Sequence, residues 1–352
     1  MSEAENTPSF KLSRLIIPIL IGVSASAYLI ITNFHPSALA RVELSGKLFL
    51  GLSLAALIIV IRGFAFMFKL RLSTGNRLSW YKTFETVVMW EFSAAVTPKL
   101  SEGAFVLYIL KKSGLSYGRS TAVLMLNSFL DNLSFVLVFS ILYYIIGHQM
   151  LVLPGYCPDL AGHEILQGIR SLADKAWIGY VLMFSLCLFL AFSLFILPHS
   201  AKRFFHQIAR LSFLKRFSKG LIHLGDEIEN TSREYKNEPI GFWIKIFFAT
   251  LLNWSARYIL PAALFFAFAQ EAVPVLEVFA RQYVLWIFLV IPATPGASGL
   301  AEISFLALNC DFMPVGLGVA IALIWRIYTY YIYLLLGLIM LPKWANGLNR
   351  NI

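Results

Sequence analysis

Four ionisable residues stand inside apolar stretches long enough to cross a bilayer: Arg62, Asp131, Arg257 and Arg326. A charge at the centre of a spanning helix costs about 2.5–3.5 kcal/mol on insertion scales, so each needs a partner or a polar cavity. Two chemistries fit. In one, the residues pair internally, for example Asp131 with Arg326, and hold the molecule together. In the other, the arginines neutralise an anionic substrate, a reading favoured by three arginines against one aspartate inside the full spans. The dipeptide Thr-Pro also occurs twice within apolar sequence, at Thr97-Pro98 and Thr294-Pro295. Proline removes a backbone donor and clashes with the preceding turn, so each copy should break its helix. Such a break survives at membrane depth only where protein or a polar cavity covers it.

Beyond each break the chain re-enters a helix whose first turn has unpaired N–H groups and a positive dipole end. That is an anion site in outline, and Gly296, Ser298 and Gly299 would let the backbone approach a phosphate closely. The same small residues also suit plain helix packing. Thr97, Pro98, Thr294 and Pro295 complete the candidate substrate site with Arg62, Arg257 and Arg326. Glu102 and Glu302 follow the breaks closely; they either cap local donors or, with Asp131, bind a coupling proton or ion. Glu91, in the arm entering the first break, has no counterpart in the second. The tyrosines at 328, 330, 331 and 333 either line a cavity or form an interfacial belt.

The elements that must position these residues are read from apolar length. Of 352 residues, 59% are hydrophobic and only 14% are charged, too little polar surface for a soluble globule of this size. The formal charge of +10 sits in the loops between apolar runs, which argues for topology and against nucleic-acid binding. Six stretches reach spanning length, at approximately 14–33, 46–69, 120–146, 176–197, 241–268 and 314–341. Two more, about 83–112 and 278–309, carry the Thr-Pro breaks and read as re-entrant hairpins. The expected fold is an all-α polytopic membrane protein, a single domain built as an inverted-topology repeat with halves 12–147 and 176–342. In support, each proline has an arginine 36 or 38 residues upstream and an intramembrane charge 33 or 31 residues downstream.

Lys11, Arg14, Lys69, Arg71, Arg77, Lys82, Lys111, Lys112 and Arg119 mark cytoplasmic loops, and the acidic loop 147–175 reads as external. Both termini are then cytoplasmic in a plasma (inner) membrane protein, with the first span an uncleaved anchor. The segment 199–238 is basic and amphipathic and should lie on the cytoplasmic leaflet. Three cysteines, Cys157, Cys187 and Cys310, have neither an even count nor a ligand spacing, so neither a disulfide framework nor a metal site is expected. No cofactor is implied.

Residues 291–305, IPATPGASGLAEISF, resemble the Pro-x-Pro-Gly-Gly-x-Gly-x-x-Glu signature of the lysylphosphatidylglycerol synthase transmembrane region family, also described as flippase-like. Pro295, Gly296, Gly299 and Glu302 match, and Ala297 stands in place of a glycine. Residues 97–131 resemble the family's first-half pattern of proline, Gly-Glu, helix, basic Gly-Leu-Ser turn and aspartate. Here the pair is reversed as Glu102-Gly103, and Asn127-Ser128 replaces Glu-Arg. The resemblance implies movement of a lipid headgroup across the bilayer, with no soluble aminoacyl-transferase domain expected here. The expected function is therefore a flippase for an anionic phospholipid or a polyprenyl-phosphate-linked lipid, working through a midplane cationic cavity. Membrane lipids are the expected partners, with a lipid-synthesis enzyme as a further candidate. No phosphate-cradling loop of the ATPase type and no catalytic Ser/His/Asp or Cys/His spacing is present. The alternatives are a lipid-modifying transferase and a non-transporting member of an envelope lipid-assembly complex.

Overall fold

In a computed structural model, the described residues are 42–97, 99–160, 167–169, 175–196, 218–269, 272–289 and 295–346, with isolated positions Ser24, Ser171, Ala173, Arg203 and Gln207. The first expected span, most of 199–217, Pro98 and Thr294 lie outside them. The described residues contain helices and no strand.

Serines start three of the helices. Ser45 caps α1 (Gly46–Ser73), Ser79 caps α2 (Trp80–Val96) and Ser116 caps α4 (Tyr117–Ile146), each side-chain oxygen accepting from a first-turn N–H. The α2 helix ends at Thr97, whose backbone is extended, and α3 (Lys99–Lys112) begins just after Pro98. Further on come α5 (Ala176–Ala191), α6 (Ser218–Lys236), α7 (Ile240–Phe268) and α8 (Val275–Phe288). A short 3-10 turn (Pro295–Ala297) leads into α9 (Leu300–Asn309). Last are α10 (Gly318–Arg326), a π turn (Ile327–Tyr331) and α11 (Ile332–Asn346).

Five segments are long and apolar enough to cross a membrane: Gly46–Ser73, Tyr117–Leu151, Ala176–Phe195, Ile240–Phe268 and Gly318–Trp344. Their outer faces expose Phe64, Tyr144, Phe248 and Leu335, a surface that water would penalise and lipid accepts. Five of the six expected spans thus coincide with a helix long and apolar enough to cross, and the first falls outside the described residues.

Both broken segments fold back on themselves. Thr86, in the second turn of α2, meets Ser113 just past α3 (Oγ1···Oγ 2.7 Å). In the second, Arg281 midway along α8 donates to Leu308 O (2.7 Å) near the end of α9 and to Asp311 (2.6 Å) just beyond it. The α1 and α7 helices pack closely, with Gly51 so near Ala263 and Ala267 that a Cβ there would overlap them. Small residues permit that approach where no water-driven force brings helices together.

Arg71, in the last turn of α1, and Arg119, in the first turn of α4, mark one end of the bundle. Arg119 pairs with Glu234 of α6 (2.8 Å), Gly118 N donates to Glu227 (2.9 Å), and Tyr235 donates to Ser73 O (2.6 Å). Burial pushes the Tyr235 hydroxyl up, which keeps it a donor. The 30-residue α4 then carries the chain about 45 Å away. There Asp159 accepts from Gly316 N and Gly318 N (both 2.7 Å), holding the start of α10.

The same end corrects the cysteine reading. Cys157 and Cys310 form a disulfide, with Cα atoms 5.7 Å apart, and Cys187 is the buried free thiol. An odd count requires one cysteine to be left over and says nothing against a pair among the rest. The bridge spans 153 residues of sequence, far beyond any local spacing rule. Removing it as Cys157→Ser/Cys310→Ser should cost about 2 kcal/mol, read as an earlier thermal unfolding of the purified protein, with wild type in reductant showing the same loss.

Candidate functional site

A cavity of about 460 Å³ lies between the two broken segments and the long helices. Its wall carries four cations, Arg62, Lys69, Arg257 and Arg326, and three carboxylates, Glu91, Glu102 and Asp131. Thr97, Gly296 and Ala297 reach it from the two breaks. Trp254, Tyr258, Tyr283, Trp286 and Tyr330 supply aromatic faces. The expected arginines therefore share one hollow. Its charge is near balance, with the cations in slight excess.

Arg326 sits on α10 just before the π turn. Its Nε donates to Glu302 (2.7 Å), and its Nη2 donates to Gly296 O (2.9 Å) and Ser298 Oγ (3.2 Å). Glu302 is itself buried, and its other oxygen accepts from Gly299 N (2.8 Å), which caps α9. One guanidinium thus fastens the second break to the last span. The pairing of Asp131 with Arg326 is corrected: Asp131 accepts from Lys69 Nζ (2.5 Å) and from Trp254 Nε1 (2.6 Å). Lys69 was expected in a cytoplasmic loop. Instead α1 continues to Ser73, and the lysine is buried opposite Asp131.

Arg62 pairs with Glu91 and donates to Tyr333 Oη (2.5 Å), joining α1, α2 and α11. Glu91 faces Arg257 as well, at 3.9 Å. Sequence reasoning ranked Glu91 as a weaker candidate because it had no counterpart in the repeat pattern; the signal was an acid in an apolar arm. Arg257 lies within 6 Å of the Trp254 and Trp286 ring centroids. Its side chain is 25% exposed to the hollow, against 4% for Arg62 and 6% for Arg326.

Tyr330 lies between the two breaks. Its hydroxyl donates to Ala95 O (3.2 Å) of α2, and its ring packs so tightly on Gly296 that no Cβ would fit there. Thr97 Oγ1 turns back to Ser93 O (2.7 Å), so its hydroxyl is engaged with its own helix end. Glu102 stands in the first turn of α3 and lines the cavity. Gly296, Ala297 and Gly299 all have positive φ, at +57°, +53° and +88°. Only glycine adopts that region without penalty. Ala297→Gly should therefore raise stability by about 1 kcal/mol, visible as a small upward shift of the melting temperature, and an unchanged or lower value would show that the alanine methyl contributes more than its strain.

An all-helical bundle with long apolar helices and a charged, aromatic-walled hollow between two interrupted helices defines an all-α polytopic membrane protein. The match to the family model for the lysylphosphatidylglycerol synthase TM region runs over residues 15–337, so the chain belongs to that family. It is a membrane domain related to lipid handling. A curated relative from Archaeoglobus fulgidus, described as a UPF0104 membrane protein, is 24% identical over 277 residues, covering 75% of this chain and 76% of the relative.

Proposed function

We propose that the chain is a lipid translocase that moves a phosphate-bearing headgroup through the central cavity while the acyl chains stay in the bilayer. Anionic phospholipids and polyprenyl-phosphate-linked lipids are the first candidates. The observation that carries this reading is the cavity itself: it is large enough for a headgroup, its four cations outnumber its three carboxylates, and both helix breaks reach it. On this reading the two folded-back pairs are re-entrant hairpins, α2–α3 from the basic end and α8–α9 from the disulfide end, in an inverted repeat. The basic end is cytoplasmic and both termini lie there, in a plasma or inner membrane. A disulfide at the far end fits an oxidising exterior.

Proton or ion coupling, if used, falls to Glu102 and Asp131. Glu302 has both oxygens committed to Arg326 and Gly299. The test is reconstitution: with a fluorescent anionic lipid in proteoliposomes, the protein should expose inner-leaflet label to an external quencher faster than empty vesicles do. Labelled lipid that stays on its leaflet at neutral pH and under an imposed gradient would defeat the proposal. The engagement of Arg62 and Arg326 in ion pairs favours one second reading, a non-transporting assembly partner, in which the cavity charges only hold the helices. It predicts no lipid movement in the same assay.

A further inference from the structure

We infer that Arg257 is the oxyanion-binding group of the cavity and that Glu91 is its resident counter-ion, displaced when a phosphate arrives. This rests on the reading of the cavity as a headgroup site and assigns the contact within it. The three arginines are not equivalent. Arg62 is held by Glu91 and Tyr333, and Arg326 by Glu302, Gly296 and Ser298. Arg257 donates no hydrogen bond to any described residue; its carboxylate neighbour among the described residues is Glu91 Oε2 at 3.9 Å, beyond hydrogen-bond range, with Arg62, Tyr258 and Tyr333 also close enough to feel its charge.

A guanidinium carries five donors in a planar fork, and leaving them unmade in an interior is costly. Here they open on the cavity. The rings of Trp254 and Trp286 hold the charge from the apolar sides, and Trp254 is in turn fixed by its bond to Asp131. The fork matches two oxygens of a phosphate, which a lysine would meet only as a point charge. The nearby carboxylate sets the strength of the site. Glu91 lies between Arg62 and Arg257, so in the empty site it partly neutralises Arg257 and competes with any incoming anion. When a phosphate takes Arg257, Glu91 remains on Arg62, and the tie between α1, α2 and α11 persists.

The shared ligand chemistry is a phosphate oxyanion, borne by a lipid or free in solution. Binding to the full-length protein in detergent separates the sources, with dioctanoyl phosphatidylglycerol, dioctanoylglycerol and inorganic phosphate as probes, followed by microscale thermophoresis. Phosphatidylglycerol should bind, dioctanoylglycerol at least 10-fold more weakly, and inorganic phosphate should compete only at far higher concentration. Arg257→Gln should weaken phosphatidylglycerol at least 10-fold, Arg257→Lys should fall between, and Glu91→Gln should tighten it several-fold. Melting temperature and gel-filtration profile are followed for each variant. Wild-type affinity in a folded Arg257→Gln protein, or weaker binding in a folded Glu91→Gln protein, overturns the assignment. If Glu91→Gln does not fold, the graded series at Arg257 decides alone. Inorganic phosphate binding as tightly as the lipid, and lost in Arg257→Gln, supports the oxyanion site and counts against the lipid reading. Arg257-dependent binding with no lipid movement in vesicles likewise separates this inference from translocation.

Discussion

Arg326→Gln lowers stability by about 3–5 kcal/mol and is the most damaging of the single changes considered, while Glu302→Gln/Arg326→Gln recovers most of that loss. The reason is the stranded charge. Glu302 is 1% exposed, and the substitution takes away its guanidinium partner while the Gly299 N–H stays in place. Breaking a buried pair by removing one member costs far more than replacing both, because an unpaired ion at depth has lost its water and gained nothing. The substitution also frees Gly296 O and Ser298 Oγ from Nη2, so the second break loses its tie to the last span. Thermal unfolding of the two variants beside wild type reads the contrast directly. Equal losses in the single and the double variant would mean that the damage comes from the lost contacts to Gly296 and Ser298, with no part played by a stranded carboxylate.

The second large effect is an asymmetry across the Lys69–Asp131 pair. Asp131→Leu should cost about 3 kcal/mol, since Lys69 is 1% exposed and would be left as a buried ammonium, with Trp254 Nε1 also losing its acceptor. Lys69→Met should cost nearer 1 kcal/mol, because the Asp131 side chain is 28% exposed and can hydrate from the cavity while it keeps the bond from Trp254. Melting curves of the two proteins rank the losses. The reverse order would mean that Lys69, and not Asp131, has access to water.

Much of the frame could be read from the chain, because its signals are local. Proline ended α2 at Thr97 for a reason that needs only the neighbouring turn. Apolar length located the long helices, and the four intramembrane charges were conspicuous against leucine and phenylalanine. What sequence left open was which charge meets which. Glu302 and Arg326 are 24 residues apart, Arg62 and Glu91 are 29 apart, and Lys69 and Asp131 are 62 apart. No periodicity links partners on different helices, so the choice among Asp131, Glu91 and Glu302 depended on packing.

Lys69 was misplaced for a related reason. At the end of an apolar run, two residues before Arg71, it looks like the start of a basic loop, and a carboxylate from α4 explains its burial. Ala297 shows the opposite case. The sequence showed only that Ala297 stands where the family signature has glycine, and its φ of +53° is a conformation that a glycine would adopt without penalty. The disulfide was illegible because its two cysteines belong to separate loops brought together by the fold.

Capturing the cargo in place tests the central claim most directly. A photoreactive amino acid at Leu289, which lines the cavity, and another at Phe248, on the outward face of α7, are irradiated in native membranes and their adducts identified by mass spectrometry. A lipid that passes through the hollow should give Leu289 adducts bearing phosphate headgroups, while Phe248 samples the bulk lipid. Lipid adducts at Phe248 with none at Leu289 would contradict a headgroup path through the cavity.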